Sequence, residues 1–257
     1  RDDLIRRLTE DLERARRFQG ALLPQGLPRT YGSVRVASAW ASCETVGGDL
    51  YNVLPLPGDR LVLMVADVAG HGVAAALLVG MVKTAVERCL NDCVSKDRIE
   101  VAPAARAVLE TLAPLNKNRV LTLFLGVVDA PGRTLHYLNA GHPPAVIWRP
   151  GSEPRQLGAT TPLLSYGIGL GPAPSAAVPF APGDRLAIYS DGLYEMRDPA
   201  GNEYGRDRLV RALVEKRGSI EKVVEEVVQE TRRHAAGRPP EDDVTLLLAE
   251  AATRPPA

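Results

Sequence analysis

Residues 49–72 read DLYNVLPLPGDRLVLMVADVAGHG, and the succession of elements in this stretch decides the fold. Residues 49–55 and 60–66 are apolar runs of strand length. Gly58-Asp59 between them is a hairpin signal, because such residues tolerate the positive φ of a tight turn. Strands joined by so short a turn pair antiparallel. Beyond Asp67 the chain changes character. Residues 70 to about 90 are rich in Ala, Leu and Val, and they predict a buried helix.

Working outward, a strand is expected at 34–41. A second helix follows at about 101–116. Strands are expected at 121–128, 134–139 and 145–148, with Pro131-Gly132 as a turn. Residues 150–183 are dense in Gly and Pro and read as loop with one short strand. A strand at 185–189, helices at 206–216 and 219–235, and a last strand at 244–250 complete the pattern. The helices come in blocks and do not alternate one-to-one with strands. That argues for an α+β layered fold over a doubly wound sheet.

Upstream, Ile5, Leu8, Leu12, Ala15, Gln19 and Leu22 recur at heptad spacing among charged residues, and Pro24 closes the run. This predicts an N-terminal helix. It either packs on its own domain or serves as a dimerising, signal-transmitting stalk. The expected organisation is therefore a linker helix over 1–24, one domain over 25–252 and a disordered tail over 253–257.

Composition narrows the function. The 257 residues carry 31 acidic and 31 basic side chains, a net charge of zero. No overall field draws the chain to nucleic acid, which argues against a nuclease. No apolar run approaches the length of a membrane span. The chain begins at Arg1, as expected of a piece of a longer protein. Cys43, Cys89 and Cys93 form no CxxC pair, which suits a reducing cytoplasm. Cys89 and Cys93 are one helical turn apart and read as two thiols on a helix face.

Four short motifs set an aspartate beside glycine or at a strand end. They are Val46-Gly47-Gly48-Asp49-Leu50-Tyr51, Ala66-Asp67-Val68-Ala69-Gly70-His71-Gly72, Tyr189-Ser190-Asp191-Gly192 and Glu241-Asp242-Asp243-Val244-Thr245. Carboxylates are hard oxygen donors. A set without thiolate suits Mg²⁺ or Mn²⁺ better than Zn²⁺. Glycine lets backbone approach closely, so that a main-chain carbonyl can join the ligands.

Together with Asn139-Ala140-Gly141-His142-Pro143-Pro144, these motifs resemble, in order and spacing, the SpoIIE/RsbU branch of the metal-dependent serine/threonine phosphatases, the protein phosphatase 2C family. The resemblance covers about residues 20–250. It implies a four-layer αββα sandwich, two packed antiparallel sheets flanked by helices. It also implies two divalent cations, Mn²⁺ or Mg²⁺, and hydrolysis of phosphoserine or phosphothreonine by direct attack of a metal-activated water. By the same resemblance Asp67 matches the ligand bridging both metals and the Val68 carbonyl the main-chain ligand. Asp49 matches the ligand of the second metal, and Asp191 and Asp242 match those of the first. Asp243 remains an alternative to Asp242.

Other residues carry structural expectations. His71 is read as orienting its loop and His142 as fixing a turn. Glu195 is expected to bond backbone, and Lys83 to lie on the exposed edge of its helix. The sequence departs from the family at Asn52, where Asp is usual. It departs again at Ala39-Trp40-Ala41-Ser42-Cys43, which lacks the usual Arg, so the group gripping phosphate is not identified. Residues 162–171 also exceed the usual turn length. The resemblance implies a phosphorylated STAS-type anti-sigma factor antagonist as substrate, upstream sensor domains, and a homodimer through the N-terminal helix, with no nucleic acid partner. The alternatives are a catalytically weak relative acting as a protein-binding module and, less in keeping with the charge, a metal nuclease or small-molecule phosphoesterase.

Overall fold

The computed structural model describes residues 2–70, 72–94, 98–114, 120–165, 167–172 and 174–253. The hairpin at the heart of the sequence forms as β3 (Asp49–Leu56) and β4 (Arg60–Val68), with Asp49 opposite Asp67 at its open end. Asp59 takes a φ of 54° in the turn. Next to β4 lies β5 (Val120–Asp129), then β6 (Thr134–Ala140) and β10 (Ala176–Pro179), giving the order β10-β6-β5-β4-β3. A two-residue β9 (Leu164–Ser165) pairs with the start of β5.

The second sheet runs β1-β2-β12-β11-β7-β8. Its members are β1 (Arg29–Tyr31), β2 (Val34–Ala41), β7 (Ala145–Trp148), β8 (Arg155–Leu157), β11 (Arg185–Tyr189) and β12 (Val244–Ala251). Every strand pairing in both sheets is antiparallel. Period-2 alternation explains how one strand serves two layers. On β12, Leu247, Ala249 and Ala251 enter the large core that includes the space between the sheets. Val244, Leu246 and Leu248 face α4 (Arg206–Glu215) and α5 (Ile220–His234) in a separate outer core. β4 is covered on both faces, by the other sheet and by α2 (Val73–Cys93), so its sequence is apolar without alternation. With α3 (Ala102–Leu112) beside α2, the layers are helix, sheet, sheet, helix, as expected.

Four differences have local causes. Helix α2 begins at Val73, because Gly70 and Gly72 hold φ values of 98° and 78°. Residues 150–183 contain β8, β9 and β10 in place of one strand. These strands are two to four residues long and borrow their order from longer partners. β1 was hidden for the same reason. Lys83 is not on an exposed edge: its ammonium donates to Asn52 Oδ1 at 3.1 Å and pairs with Glu87 at 3.1 Å. Asn52 is buried and returns an amide hydrogen bond to Glu87 at 2.9 Å, which an aspartate could not donate. The asparagine amide therefore suits this position, accepting from Lys83 and donating to Glu87.

The N-terminal helix α1 (Asp2–Leu22) is amphipathic but only partly docked. Gln19 is buried, with its amide donating to Gly47 O at 2.7 Å and its Oε1 accepting from Gly47 N at 3.0 Å. Ile5, Leu12 and Phe18 remain exposed. Among the described residues no helix is long and apolar enough to cross a membrane.

Candidate metal centre

Antiparallel order brings the four motifs to one end of the sandwich. Asp67 lies near the end of β4, Asp49 opens β3, Asp191 follows β11, and Asp242 and Asp243 precede β12. Neighbouring antiparallel strands run in opposite directions, so one strand's end lies beside its neighbour's start. The two sheets are joined here by Thr245, whose hydroxyl donates to Asp49 Oδ2 at 2.5 Å.

Asp242 and Asp243 do different things although they are adjacent. Asp243 is buried. Its carboxylate accepts from the backbone N–H of Cys43 at 2.8 Å, Gly48 at 2.6 Å and Asp49 at 3.1 Å. Asp242 is exposed and lines a cleft of about 310 Å³ with Cys43, Glu44, Asp67, Ala69, Gly70, Pro240 and Glu241. The sequence held both residues open. The structure gives Asp243 a backbone-clamping position and turns Asp242 to the cleft.

Glycine is needed where the strands converge. A Cβ on Gly48 would lie 2.5 Å from the Val68 carbonyl oxygen, and one on Gly192 would lie 2.2 Å from the carbonyl oxygen of Asp243. The first contact sets the Val68 carbonyl against the loop that carries Asp49.

The cleft concentrates negative charge. Burial and the charge of Asp191, then of Asp242 and Asp243, push the Asp67 carboxyl up to about 7. Asp49 is pushed well above the usual range by burial and by Asp67, against the hydrogen bonds from Ser190 and Thr245. Among the described residues no Lys or Arg lines the cleft. Carboxylates crowded without a counter-charge, with hard oxygen donors and a backbone carbonyl at hand, fit divalent cations of the Mg²⁺ or Mn²⁺ kind. The fit is not a closed cage. Among the described residues, the one trio of His, Cys, Asp or Glu ligand atoms all within 4.8 Å is Cys43, Asp242 and Asp243, and no three of Asp49, Asp67, Asp191 and Asp242 approach that closely.

His142 and Glu195 sit differently from a catalytic dyad. His142 is 3% exposed and far from the solvent a general acid would need. Its Nδ1 pairs with Thr122 Oγ1 at 2.8 Å, and its backbone N–H donates to Asn139 Oδ1 at 2.8 Å. Burial lowers its pKa to about 3, so the ring is neutral. Nε2 is buried and finds no hydrogen-bond partner among the described residues. Thr122 stands opposite Asp67 in the β4–β5 ladder, so His142 packs behind the cleft. His71 lies outside the described residues. Glu195 departs from expectation: its side chain is exposed, and among the described residues it makes no hydrogen bond to backbone. It opens onto a neighbouring cavity of about 220 Å³ with Gly192, Met196, Arg197, Glu241 and Asp242. Arg197 is the cation nearest the centre in that lining, and it is occupied by Glu203 at 2.5 Å and Glu241 at 3.6 Å.

Residues 57–252 match the model of the family described as Stage II sporulation protein E (SpoIIE). This chain belongs to the SpoIIE family. It is 26% identical over 263 residues to Protein IcfG of Synechocystis sp., covering 92% of this chain and 41% of that protein. It is 27% identical over 202 residues to phosphoserine phosphatase RsbP of Bacillus subtilis, covering 77% and 48%. The chain thus spans less than half the length of these curated relatives. Among solved structures it resembles the SiaA-PP2C domain of Pseudomonas aeruginosa, with a TM-score of 0.83 at 23% identity over 96% of this chain and 98% of that one. It also resembles the catalytic domain of the serine/threonine phosphatase PstP in complex with 2 manganese ions, with a TM-score of 0.62 at 17% identity over 85% and 98%. These likenesses establish a PP2C-type fold.

Two predictions follow from the carboxylates. Asp243→Ala strands three N–H donors, those of Gly48 and Asp49 buried and that of Cys43 half-buried, and is expected to cost about 3 kcal/mol in a urea unfolding titration, whereas Asp242→Ala leaves the midpoint near that of the parent. The second concerns pH. The folded-state pKa of Asp67 lies above its ordinary value of 3.8, so its contribution is fully present below 3.8 and is lost as pH rises through about 7. Chelator-treated protein is expected to melt at lower temperature at about pH 8 than at about pH 5. Asp67→Asn should flatten that slope, and Mn²⁺ should raise the melting temperature of the parent at the higher pH.

Proposed function

We propose that this domain is a metal-dependent serine/threonine protein phosphatase. The observation that carries the reading is the charge of Asp191 and Asp242 acting on Asp67, beside a cleft lined by Asp67 and Asp242 with no Lys or Arg among its described residues, in a member of the SpoIIE family. Two divalent cations, Mn²⁺ or Mg²⁺, would be held by the carboxylates of Asp49, Asp67, Asp191 and Asp242 and by the carbonyl of Val68. When bound, such ions acidify water and neutralise phosphoryl oxygens.

The chain's own residues prepare the site. Thr245 holds the Asp49 carboxylate in one orientation. The Asp243 clamp keeps the Gly47–Gly48 loop against β12. His142, being neutral, supports the floor without adding charge. With no Lys or Arg among the described residues of the cleft lining, the cations, when bound, would supply the positive charge that phosphate needs.

The proposed substrate is a phosphoserine or phosphothreonine on a phosphorylated STAS-type anti-sigma factor antagonist. The match to phosphoserine phosphatase RsbP supports the phosphoserine reading. Upstream sensor domains would act through α1, whose Gln19 grips Gly47 beside the Asp49 loop, and whose exposed Ile5, Leu12 and Phe18 suit a homodimer.

The decisive assay is phosphate release from a phosphoserine protein with Mn²⁺. Activity is expected to vanish with chelator and to fall at least about 100-fold in Asp67→Asn and Asp191→Asn, the scale at which loss of electrostatic stabilisation registers. Wild-type turnover no higher than that of the variants would favour the alternative, a regulatory protein-binding module. Removal of residues 1–23 is expected to abolish dimerisation or alter turnover. Unchanged mass by light scattering together with unchanged rate would eliminate the role of α1.

A further inference from the structure

Cys89 and Cys93 stand one turn apart at the C-terminal end of α2, and the Cys93 thiol donates toward Cys89 Sγ at 3.6 Å. The two sulfurs are in contact, and their surroundings differ. Cys93 is 1% exposed within the main core. Cys89 is half-buried and opens onto a shallow cleft of about 410 Å³ between α2 and α3, lined by Ala85, Arg88, Cys89, Ala107, Glu110 and Thr111. One thiol is thus reachable by a small oxidant, and the other is packed directly behind it.

We propose that Cys89 and Cys93 form a reversible redox site that closes to an intrahelical disulfide with a peroxide as oxidant. Cys89, as thiolate, attacks one peroxide oxygen. The O–O bond breaks, an S–O bond forms, and the departing hydroxide is protonated to water, leaving a sulfenic acid on Cys89. The Cys93 sulfur then attacks the Cys89 sulfur. The S–S bond forms, the S–O bond breaks, and a second water leaves with the Cys93 proton. In sum, two thiols and one hydrogen peroxide give one disulfide and two waters.

Helix geometry permits the bond and assigns it a consequence. Residues four apart in an α-helix have Cα atoms about 6.2 Å apart, inside the range of about 4.4–6.8 Å that disulfides span. Their Cβ atoms are about 5–6 Å apart, whereas a disulfide needs about 3.8 Å. Closure must therefore tighten the last turn of α2. That turn is anchored by Leu90, by the hydrogen bond from Val94 N to Leu90 O at 3.0 Å, and by the bond from Glu100 N to Cys93 O at 2.7 Å. The strain of oxidation falls on those contacts. It also makes the bond more reducible than an unstrained one.

The site is independent of the phosphatase reading, and its test uses no activity. The intact chain is treated with a few equivalents of hydrogen peroxide, remaining thiols are alkylated, and trypsin releases residues 89–96 as one peptide. The expected product is roughly 2 Da lighter and unalkylated, and dithiothreitol before alkylation restores two labelled cysteines. In Cys93→Ser, dimedone should instead trap the sulfenic acid on Cys89. Hydrogen exchange at residues 90–94 should accelerate in the oxidised chain. Recovery of both cysteines alkylated after peroxide would overturn the proposal. So would added oxygen on Cys89 of the unsubstituted chain without loss of two hydrogens, or a disulfide to Cys43 or to a second chain.

Discussion

One buried carboxylate holds together the end of the molecule on which everything else converges. Asp243 accepts from the N–H groups of Cys43, Gly48 and Asp49, which belong to the segment crossing from one sheet to the other. That crossing segment has no strand ladder of its own to satisfy its donors between Ala41 and Asp49. Buried donors must find acceptors, and a charged acceptor with two oxygens serves several at once. The glycines at 48 and 192 follow from the same requirement, since a side chain at either would collide with backbone. Thr245, two residues along, then ties the second sheet to Asp49.

With that end assembled, its electrostatics oppose folding in the absence of cations. Asp67 is raised to about 7 by burial and by its charged neighbours, and Asp49 is raised by burial and by Asp67. Such an arrangement is poor for the stability of the bare chain and well suited to binding metal, the usual relation between a functional site and the fold that carries it. The rest of the sandwich supplies the stability. β4 is buried on both faces, and the outer core under α4 and α5 is formed by alternate residues of β11 and β12.

Contacts on α2 and α1 link this end to the periphery. Lys83 and Glu87 hold Asn52 of β3, the strand that begins with Asp49. Gln19 takes both backbone groups of Gly47. These are polar contacts to buried groups, so they fix position more than they add stability. The heptad pattern of residues 5–22 marked α1 as a helix, with Gln19 as one member of the pattern. In the fold it is the docking residue.

Local patterns carried much of the architecture. The β3–β4 hairpin, the apolar helix after it, and the strands β11 and β12 are visible because apolar runs and turn chemistry act over a few residues. The aspartates were visible because their motifs and order are written in the chain. The strands β8, β9 and β10 were not, since two to four residues carry too little pattern and their pairing is settled by β7, β5 and β6. The backbone bond expected of Glu195 and the exposed edge expected of Lys83 were misread for a related reason: helix and loop periodicity does not show what packs alongside. Sequence by itself determined the types of donor, their order and the strands that end beside them. Only tertiary structure decided which of Asp242 and Asp243 turns to the cleft. The two are chemically identical, and the choice depends on three N–H groups lying about 200 residues earlier in the chain.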